Sequence, residues 1–264
     1  MPTVTSTDGT HIAYETTGTG PALILVDGAM CYRDFGPARA LATAFAPDFT
    51  VYLYDRRGRG QSGNTQPWSA DRETDDLQAL LTAAGGEAYI MGCSSGAVLA
   101  ADAANRLPGL TKVALYEPPF IVDNTHEPRE ASFIPDTEAL LQRGDRSGAL
   151  KKFMRHVGMP ALMLQLMALT PPWRKLKAVA HTLPYDLHIL GDTARGEPLD
   201  ATRWSQLTAP ALVMDGGKSP QYMRNAAKAL AEALPKADYR TLEGQTHMVK
   251  AKAVAPVVRD FLTR

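Results

Sequence analysis

Short, continuous runs of apolar residues recur along the chain, each bounded by turn residues. These runs are residues 22–26, 49–54, 87–91, 111–116 and 211–214. Because the runs are continuous rather than alternating, they are typical of strands buried on both faces of a parallel sheet. Helical patterns separate them, notably at residues 72–84, 97–106 and 224–233. The succession of strand and helix predicts an α/β fold, with a mostly parallel twisted sheet and helices on both faces.

The alternation of predicted strands and helices is interrupted between about residues 121 and 205, where no run resembles a central strand. A length of 264 residues lies between one and two domains at roughly 150 residues per domain. We therefore predict a core formed by residues 1–120 and 206–264, interrupted by a helical cap insertion at residues 121–205. Residues 10–16 alternate in polarity and predict an antiparallel edge strand.

Within the predicted cap, residues 160–172 (PALMLQLMALTPP) are apolar on nearly every side. Met159 and Met163 recur with Met167 at helical spacing before Pro171 and Pro172, which would end a helix. One interpretation is packing inside the cap. The other is that the flexible, polarizable side chains of Met159 and Met163 line an apolar substrate pocket.

Charge and cysteine content limit the partners of the chain. The 28 Lys plus Arg and 28 Asp plus Glu give a formal net charge of +0, which argues against a nucleic-acid or acidic-membrane partner. No apolar stretch approaches a membrane span, and the polar N-terminal segment lacks the features of a signal peptide. We expect a cytoplasmic protein with a small-molecule substrate, and a homodimer stays open. Cys31 and Cys93 form neither a disulfide scaffold nor a metal-ligand pattern, so no metal site is predicted.

A G-x-S-x-G pattern at residues 92–96 is the strongest chemical signal. It follows the predicted strand at 87–91 and opens the helical stretch at 97–106. A sharp strand-to-helix turn of this kind needs small residues on either side, which Gly92 and Gly96 supply. The N-terminus of the following helix favours a developing negative charge near the serine. The pattern therefore indicates Ser94 as a nucleophile.

A G-x-G-x-x-G pattern at residues 58–63 is a competing motif. A dinucleotide site needs a helix immediately after these glycines, whereas residues 64–68 read as a loop with Pro67. No cofactor is predicted. Arg56, Arg57 and Arg59 beside Asp55 are interpreted as a turn held by local charge pairs.

Four segments together resemble the α/β-hydrolase family over essentially the full length of the chain. Residues 18–29 (GTGPALILVDGA) look like its strand and oxyanion loop, and residues 54–62 (YDRRGRGQS) look like its Asp-x-Arg-Gly-x-Gly-x-Ser turn. Residues 92–96 match its nucleophile elbow, and residues 244–249 (GQTHMV) match the segment of its catalytic histidine. The resemblance implies the α/β-hydrolase fold, in the serine-nucleophile branch that includes esterases and lactonases. It also implies that His247 is the general base for Ser94.

The acidic member of the triad departs from the common family pattern. Members usually carry it three residues beyond the glycine after the strand at 211–214, and this chain has Ser219 there. Haloalkane dehalogenases with a glutamate instead place the acid after the preceding strand, where this chain has Glu117. Glu117 is the first choice, Asp215 the second, and a Ser94–His247 dyad without an acid the third.

By family position, the oxyanion hole uses the backbone N–H groups of Ala29 and Ser95. Asp27 stands where members commonly have histidine, and a carboxylate there could repel an oxyanion. Asp27 is therefore turned away, protonated or used for another purpose. Cys31 either faces the pocket or packs beside it, so both residues are pocket candidates.

The resemblance implies a cofactor-independent serine hydrolase that cleaves a small, largely apolar carboxylic ester, thioester or lactone through an acyl-enzyme on Ser94. Two alternatives stay open, because fold alone does not select the reaction. One is a specialised member such as a C–C hydrolase, lyase, acyl transferase or cyclase. The other is a ligand-binding member without catalytic activity.

Overall fold

Eight strands form a single sheet in the computed structural model, which describes residues 2–264. The strands are β1 (Thr3–Thr5), β2 (His11–Thr17), β3 (Ala22–Val26), β4 (Thr50–Tyr54), β5 (Ala88–Cys93), β6 (Leu110–Tyr116), β7 (Ala211–Gly216) and β8 (Ala237–Leu242). Their order across the sheet is β1-β2-β4-β3-β5-β6-β7-β8. β2 pairs antiparallel with β1 and β4, and every pair from β4 to β8 is parallel. The mostly parallel sheet is confirmed, but the predicted edge strand, β2, is covered by the short β1.

Ten α-helices accompany the sheet. They are α1 (Ala38–Phe45), α2 (Ala70–Ala83), α3 (Ser95–Arg106), α4 (Phe133–Gln142), α5 (Arg146–His156), α6 (Ala161–Met167), α7 (Pro171–Val179), α8 (Leu183–Leu190), α9 (Gln221–Ala233) and α10 (Ala251–Thr263). Within residues 2–264, none of them has the length and apolar character needed to cross a lipid bilayer.

The sheet is buried between two layers of helices. On one face, side chains such as Leu77 of α2, Val98 of α3 and Leu230 of α9 pack against the strands. On the other face, Phe45 of α1 and Val258 of α10 do the same. Burial on both faces explains why the central strands read as continuous apolar runs.

Helices α4 to α8 lie between β6 and β7 in the chain, inside the segment predicted as a cap. Leu150, Trp173 and Leu183, from α5, α7 and α8, form a separate apolar cluster. Met30, in the loop after β3, belongs to the same cluster. The apolar cluster of these helices therefore reaches the carboxyl end of the parallel strands. The cap boundaries at residues 121 and 205 stay a prediction.

The helix of the methionine-rich segment is shorter than the methionine spacing predicts. α6 has only 7 residues, Met159 precedes it, and Pro171 and Pro172 begin α7. Proline is favoured at the first helical positions, where no intrahelical N–H bond is lost. Met159 packs against the cap cluster. Met163 is 55% exposed, because the short helix turns Leu164 toward the cluster instead.

The approach of α3 to β3 allows no side chain at Gly96. A Cβ atom on Gly96 would lie 2.4 Å from the carbonyl oxygen of Val26 and 2.5 Å from that of Asp27. These atoms belong to the backbone at the carboxyl end of β3, and moving them would disturb a central strand. The glycine therefore sets how closely the helix that follows Ser94 approaches the end of β3.

Gly96→Ala should lower the free energy of unfolding by roughly 2–3 kcal/mol, because overpacking forces the backbone of α3 away from β3. Gly217→Ala is the matched control, since a Cβ there would first meet the flexible end of Glu243 at 3.0 Å. Urea unfolding measures both variants. Equal stability of the two variants would contradict the steric role of Gly96.

Candidate active site

Ser94 occupies the turn between β5 and α3 in a conformation that only a few residues adopt. Its φ is 56° and its ψ is −129°. Among residues 2–264, the other non-glycine residues with positive φ are Met30 and Glu117, with φ values of 62° and 47°. All three follow the carboxyl ends of neighbouring strands β3, β5 and β6. Such strained conformations concentrate at functional sites, where the surrounding structure enforces them.

The loop after β3 lies directly against the serine. A Cβ atom on Gly28 would lie 2.9 Å from Ser94 Cβ and 3.5 Å from Ser94 Oγ. The Ser94 N–H donates to the carbonyl oxygen of Tyr116 at 2.9 Å, which ties the turn to the end of β6. Ser94 is half-buried and its side chain makes no cap hydrogen bond within α3. Ser94 is therefore partly exposed, and its hydroxyl is not used to cap the helix.

Glu117 and His247 are brought together by the fold. His247 Nδ1 lies 2.7 Å from Glu117 Oε2. The glutamate is fully buried, and its Oε1 accepts a hydrogen bond from the Gly216 N–H at 2.6 Å. His247 lies in the loop after β8. Tyr116 Oη donates a hydrogen bond to the carbonyl oxygen of Thr246, the residue before His247, at 2.7 Å. The carboxylate and the histidine loop are thus both anchored at the ends of β6 and β7.

Neither Asp215, the second choice, nor Ser219, at the usual family position of the acid, forms a hydrogen bond with His247. Asp215 Oδ2 accepts hydrogen bonds from Arg224 Nε at 3.1 Å and from Tyr239 Oη at 2.9 Å. Ser219 Oγ is buried without a hydrogen-bond partner among residues 2–264. The structure therefore pairs His247 with Glu117, the first of the predicted choices.

The two predicted oxyanion donors belong to residues close to Ser94: Ala29 follows Gly28, which approaches the serine, and Ser95 is the next residue in the chain. The Ala29 N–H, in the loop after β3, has no hydrogen-bond partner within residues 2–264. Ser95 is the first residue of α3, and N–H groups at this helix position have no intrahelical acceptor. Both groups are free to donate to an added ligand, and the helix dipole favours a negative one.

Buried ion pairs beside this loop differ from the predicted local pairs with Asp55. Asp55 accepts hydrogen bonds from Arg33 and from the Gln61 N–H.

Arg56 pairs with Glu73 and Asp186, both at 2.7 Å, and Arg59 pairs with Asp186 at 2.6 Å. Arg57 pairs with Asp76 at 2.6 Å and with Asp8 at 2.9 Å. The prediction was wrong because the arginine side chains extend away from their own turn to acids distant in sequence.

Asp186 was not singled out in the sequence. It lies in α8, whose other residues from Leu183 to Leu187 are also buried. Burial raises the pKa of Asp186, but the charges of Arg59 and Arg56 and hydrogen bonds from Arg59 and Ser95 outweigh it, so the pKa lies below its usual value. A single acidic residue in an otherwise buried, apolar helix is the sequence pattern that could have indicated Asp186.

Asp27 is buried at the end of β3. Its Oδ2 has no hydrogen-bond partner among residues 2–264. Burial raises the pKa of Asp27 to about 7, although the charges of Arg59 and Arg56 oppose this. Oδ2 and the thiol of Cys31 both border Gly36, where an added Cβ would lie 3.5 Å and 3.1 Å from them. Burial and the nearby Asp27 raise the pKa of Cys31 to about 12, so the thiol is protonated.

The raised pKa of Asp27 predicts a pH-dependent stability that Asp27→Asn removes. Because the pKa rises from 3.8 to about 7 on folding, the folded protein binds this proton more tightly. The wild type therefore loses stability as the pH rises through 7. Relative to wild type, D27N should gain on the order of 2 kcal/mol between about pH 5 and pH 8. Urea unfolding at each pH measures this difference.

Asp71→Asn is the control for this measurement, since the Asp71 side chain is 80% exposed. Its stability difference from wild type should stay nearly constant over the same pH range. A constant difference for D27N as well would contradict the assignment of a raised pKa to Asp27.

Comparison with known proteins agrees with the fold. Over its full length, the chain resembles an alpha/beta hydrolase from Sphaerobacter thermophilus DSM 20745, with 44% identity, a TM-score of 0.90 and coverage of 99% of this chain and 100% of the other. It also resembles the enol-lactonase from Burkholderia xenovorans LB400, with 20% identity, a TM-score of 0.72 and 100% coverage of both.

A curated relative and a family match complete the comparison. The uncharacterized hydrolase YraK of Bacillus subtilis (strain 168) is 30% identical over 154 residues. That match covers 56% of this chain and 55% of YraK, so it spans about half the length of the relative. Residues 20–257 match the Alpha/beta hydrolase family. The chain therefore belongs to the alpha/beta hydrolase family.

Proposed function

We propose that the protein is a serine hydrolase that cleaves a small, largely apolar carboxylic ester, thioester or lactone. The observation that carries the proposal is the 2.7 Å contact between His247 Nδ1 and the buried Glu117 carboxylate. With Nδ1 bonded to a carboxylate, the neutral imidazole keeps Nε2 unprotonated and able to accept a proton. A serine at the strained turn between β5 and α3 is the nucleophile that such a base activates.

In the first half of the reaction, Ser94 Oγ forms a bond to the substrate carbonyl carbon while His247 Nε2 takes the hydroxyl proton. The carbonyl oxygen becomes an oxyanion. Collapse of this intermediate breaks the bond to the alcohol or thiol, and His247 returns the proton to that leaving group. An acyl ester on Ser94 remains. In a lactone, the leaving hydroxyl stays attached to the acyl group.

In the second half, a water molecule attacks the acyl ester and gives a proton to His247. The bond between the carbonyl carbon and Ser94 Oγ then breaks, and the proton passes to the serine oxygen. The carboxylic acid leaves and the starting enzyme is regenerated. No external cofactor is needed to balance either half.

Glu117 serves the base rather than the substrate in this mechanism. Its Oε2 faces His247, and its Oε1 is held by the Gly216 N–H at 2.6 Å. The carboxylate therefore keeps the imidazole in one orientation and stabilises the imidazolium that forms when the Ser94 proton is taken. The Ala29 and Ser95 N–H groups supply the oxyanion hole, which is aided by the N-terminus of α3.

The surroundings of the loop after β3 support the proposal of a largely apolar substrate. Met30 belongs to the same apolar cluster as Leu150, Trp173 and Leu183 of the predicted cap. An acyl group bound next to Ala29 would therefore meet apolar side chains from residues 121–205. The structural likeness to an enol-lactonase is a likeness of fold, and it supports including lactones among the substrates to be tested.

A non-hydrolytic reaction is the second candidate, and Asp27 is the observation that favours it. A buried carboxyl with a pKa of about 7 beside the oxyanion loop is suited to acid or base chemistry near neutral pH. Turnover in ¹⁸O-labelled water separates the two candidates. Hydrolysis places one labelled oxygen in the carboxylic acid product, whereas elimination or transfer to another acceptor does not.

A fluorophosphonate should label wild-type protein at Ser94 and should not label Ser94→Ala. Glu117→Gln should slow labelling at least about 100-fold, because the imidazolium loses its carboxylate. Asp215→Asn is the matched control. It is also a buried acid at a strand end, but it contacts Arg224 and Tyr239. Its labelling rate should stay within a few-fold of wild type. Peptide mass spectrometry locates and times the adduct.

Two outcomes would change the proposal. Wild-type protein that resists labelling would contradict a serine hydrolase. Labelling of Glu117→Gln at the wild-type rate, with slow labelling of Asp215→Asn, would transfer the acid role to Asp215.

A further inference from the structure

We infer that Arg59 is a positioning residue that orients the Ala29 oxyanion donor through the Gly28–Ala29 peptide, and that Asp186 holds Arg59 in place. The inference rests on the proposed function, because it concerns the oxyanion hole of that reaction. Arg59 itself does not touch the reacting atoms. Its effect passes through one peptide unit of the loop after β3.

The key contact is the hydrogen bond from Arg59 Nη1 to the carbonyl oxygen of Gly28, at 2.7 Å. The Gly28 carbonyl and the Ala29 N–H belong to the same peptide unit. In a planar trans peptide these two groups point in opposite directions. Fixing the carbonyl oxygen on the side of Arg59 therefore fixes the Ala29 N–H toward the other side of the loop.

The positive charge of Arg59 also strengthens the hydrogen bond to the Gly28 carbonyl. The Arg59 side chain is fully buried, so its positive charge acts on the Gly28 carbonyl with little solvent screening. Hydrogen bonds in series polarise one another, and a carbonyl that accepts a charged bond makes its own N–H a stronger donor. A donor aligned before the reaction requires no reorganisation when the oxyanion forms.

Arg59 is held by two residues of the predicted cap. Its Nη2 donates to Asp186 Oδ2 at 2.6 Å, and its Nε donates to Thr182 Oγ1 at 3.1 Å. Asp186 Oδ1 also accepts a hydrogen bond from Ser95 Oγ at 2.8 Å. One carboxylate of α8 therefore contacts both the arginine behind the Ala29 donor and the residue that carries the second donor.

Arg57 lies in the same turn, but its contacts indicate a purely structural role. It is also fully buried and pairs with Asp76 and Asp8. Its remaining hydrogen bonds go to Ser6 and to the carbonyl oxygen of Arg72. None of these partners lies in the loop after β3 or in residues 121–205. Arg57 and Arg59 thus differ in their connection to the oxyanion loop and not in burial.

Arg59→Lys and Arg57→Lys form the test pair. Lysine keeps the charge but has a single nitrogen, which cannot contact Gly28, Asp186 and Thr182 together. For R59K we expect kcat for a p-nitrophenyl ester to fall about 10- to 100-fold with little change in KM. The affinity for a trifluoromethyl ketone, which forms a tetrahedral adduct with an oxyanion, should fall by a similar factor.

For R57K we expect a lower Tm, with kcat and the trifluoromethyl ketone affinity within about three-fold of wild type. Thermal unfolding of every variant separates loss of fold from loss of activity. Thr182→Val is a milder second variant, since it removes only the bond to Arg59 Nε and the bond from Thr182 Oγ1 to the Val179 carbonyl. It should lower kcat and ketone affinity together, by about two- to five-fold.

Equal effects of R59K and R57K on ketone affinity would overturn the inference, as would a wild-type ketone affinity in folded R59K. Either result would leave the proposed function intact, provided that wild-type Ser94 is labelled by the fluorophosphonate. Absence of that labelling would remove the proposed function, and this inference with it. The two failures are therefore distinguishable.

Discussion

Ser94 adopts a positive φ at the point where β5 turns into α3, and the placement of the remaining candidate groups depends on this turn. Such a conformation costs roughly 1–3 kcal/mol in a non-glycine residue. The cost is offset by the surrounding backbone, because the Ser94 N–H bonds to Tyr116 and Gly96 lets α3 approach β3 closely. The loop after β3 lies against the serine at Gly28, and the bond to Tyr116 ties the turn to the end of β6, which Glu117 follows.

Buried charge organises the layer around this turn. Glu117 is satisfied by the Gly216 N–H and His247, and Asp186 by Arg56, Arg59 and Ser95. Leaving a buried charge without its partner costs several kcal/mol, so each of these networks requires its partners to be present together. A chain with zero formal net charge therefore carries a concentrated set of opposite charges inside. Their hydrogen bonds reach the backbone carbonyls of the loop that is proposed to bind the oxyanion.

The sheet could be predicted because the residue pattern that indicates each strand lies within the strand itself. Each central strand is a continuous apolar run, and the structure places β3 at the predicted residues and extends β5 and β7 by two residues at the carboxyl end. The turn at Ser94 was predictable for the same reason, since its glycines lie two residues away. The partner of His247 was harder to predict. Glu117 directly follows β6 and Asp215 lies near the carboxyl end of the adjacent strand β7. Spacing therefore did not choose between them, whereas in the structure Asp215 contacts Arg224 and Tyr239 and Glu117 contacts His247.

The link between Arg59 and Asp186 could not be predicted from spacing, because 127 residues separate the two in the chain. The helices between β6 and β7 were harder still. Their apolar residues pack among themselves and onto Met30. The methionine spacing predicted a helix that includes Met159 and ends before Pro171, whereas α6 spans only Ala161–Met167.

Trapping of an acyl-enzyme tests directly whether Ser94 is the nucleophile. Wild-type protein mixed with a p-nitrophenyl ester is quenched in acid within milliseconds, digested and examined by peptide mass spectrometry. We expect a burst of p-nitrophenol with a matching amount of the acyl group on the peptide that contains Ser94. A burst or steady turnover without an acyl adduct on that peptide, or with the adduct on another residue, would contradict it.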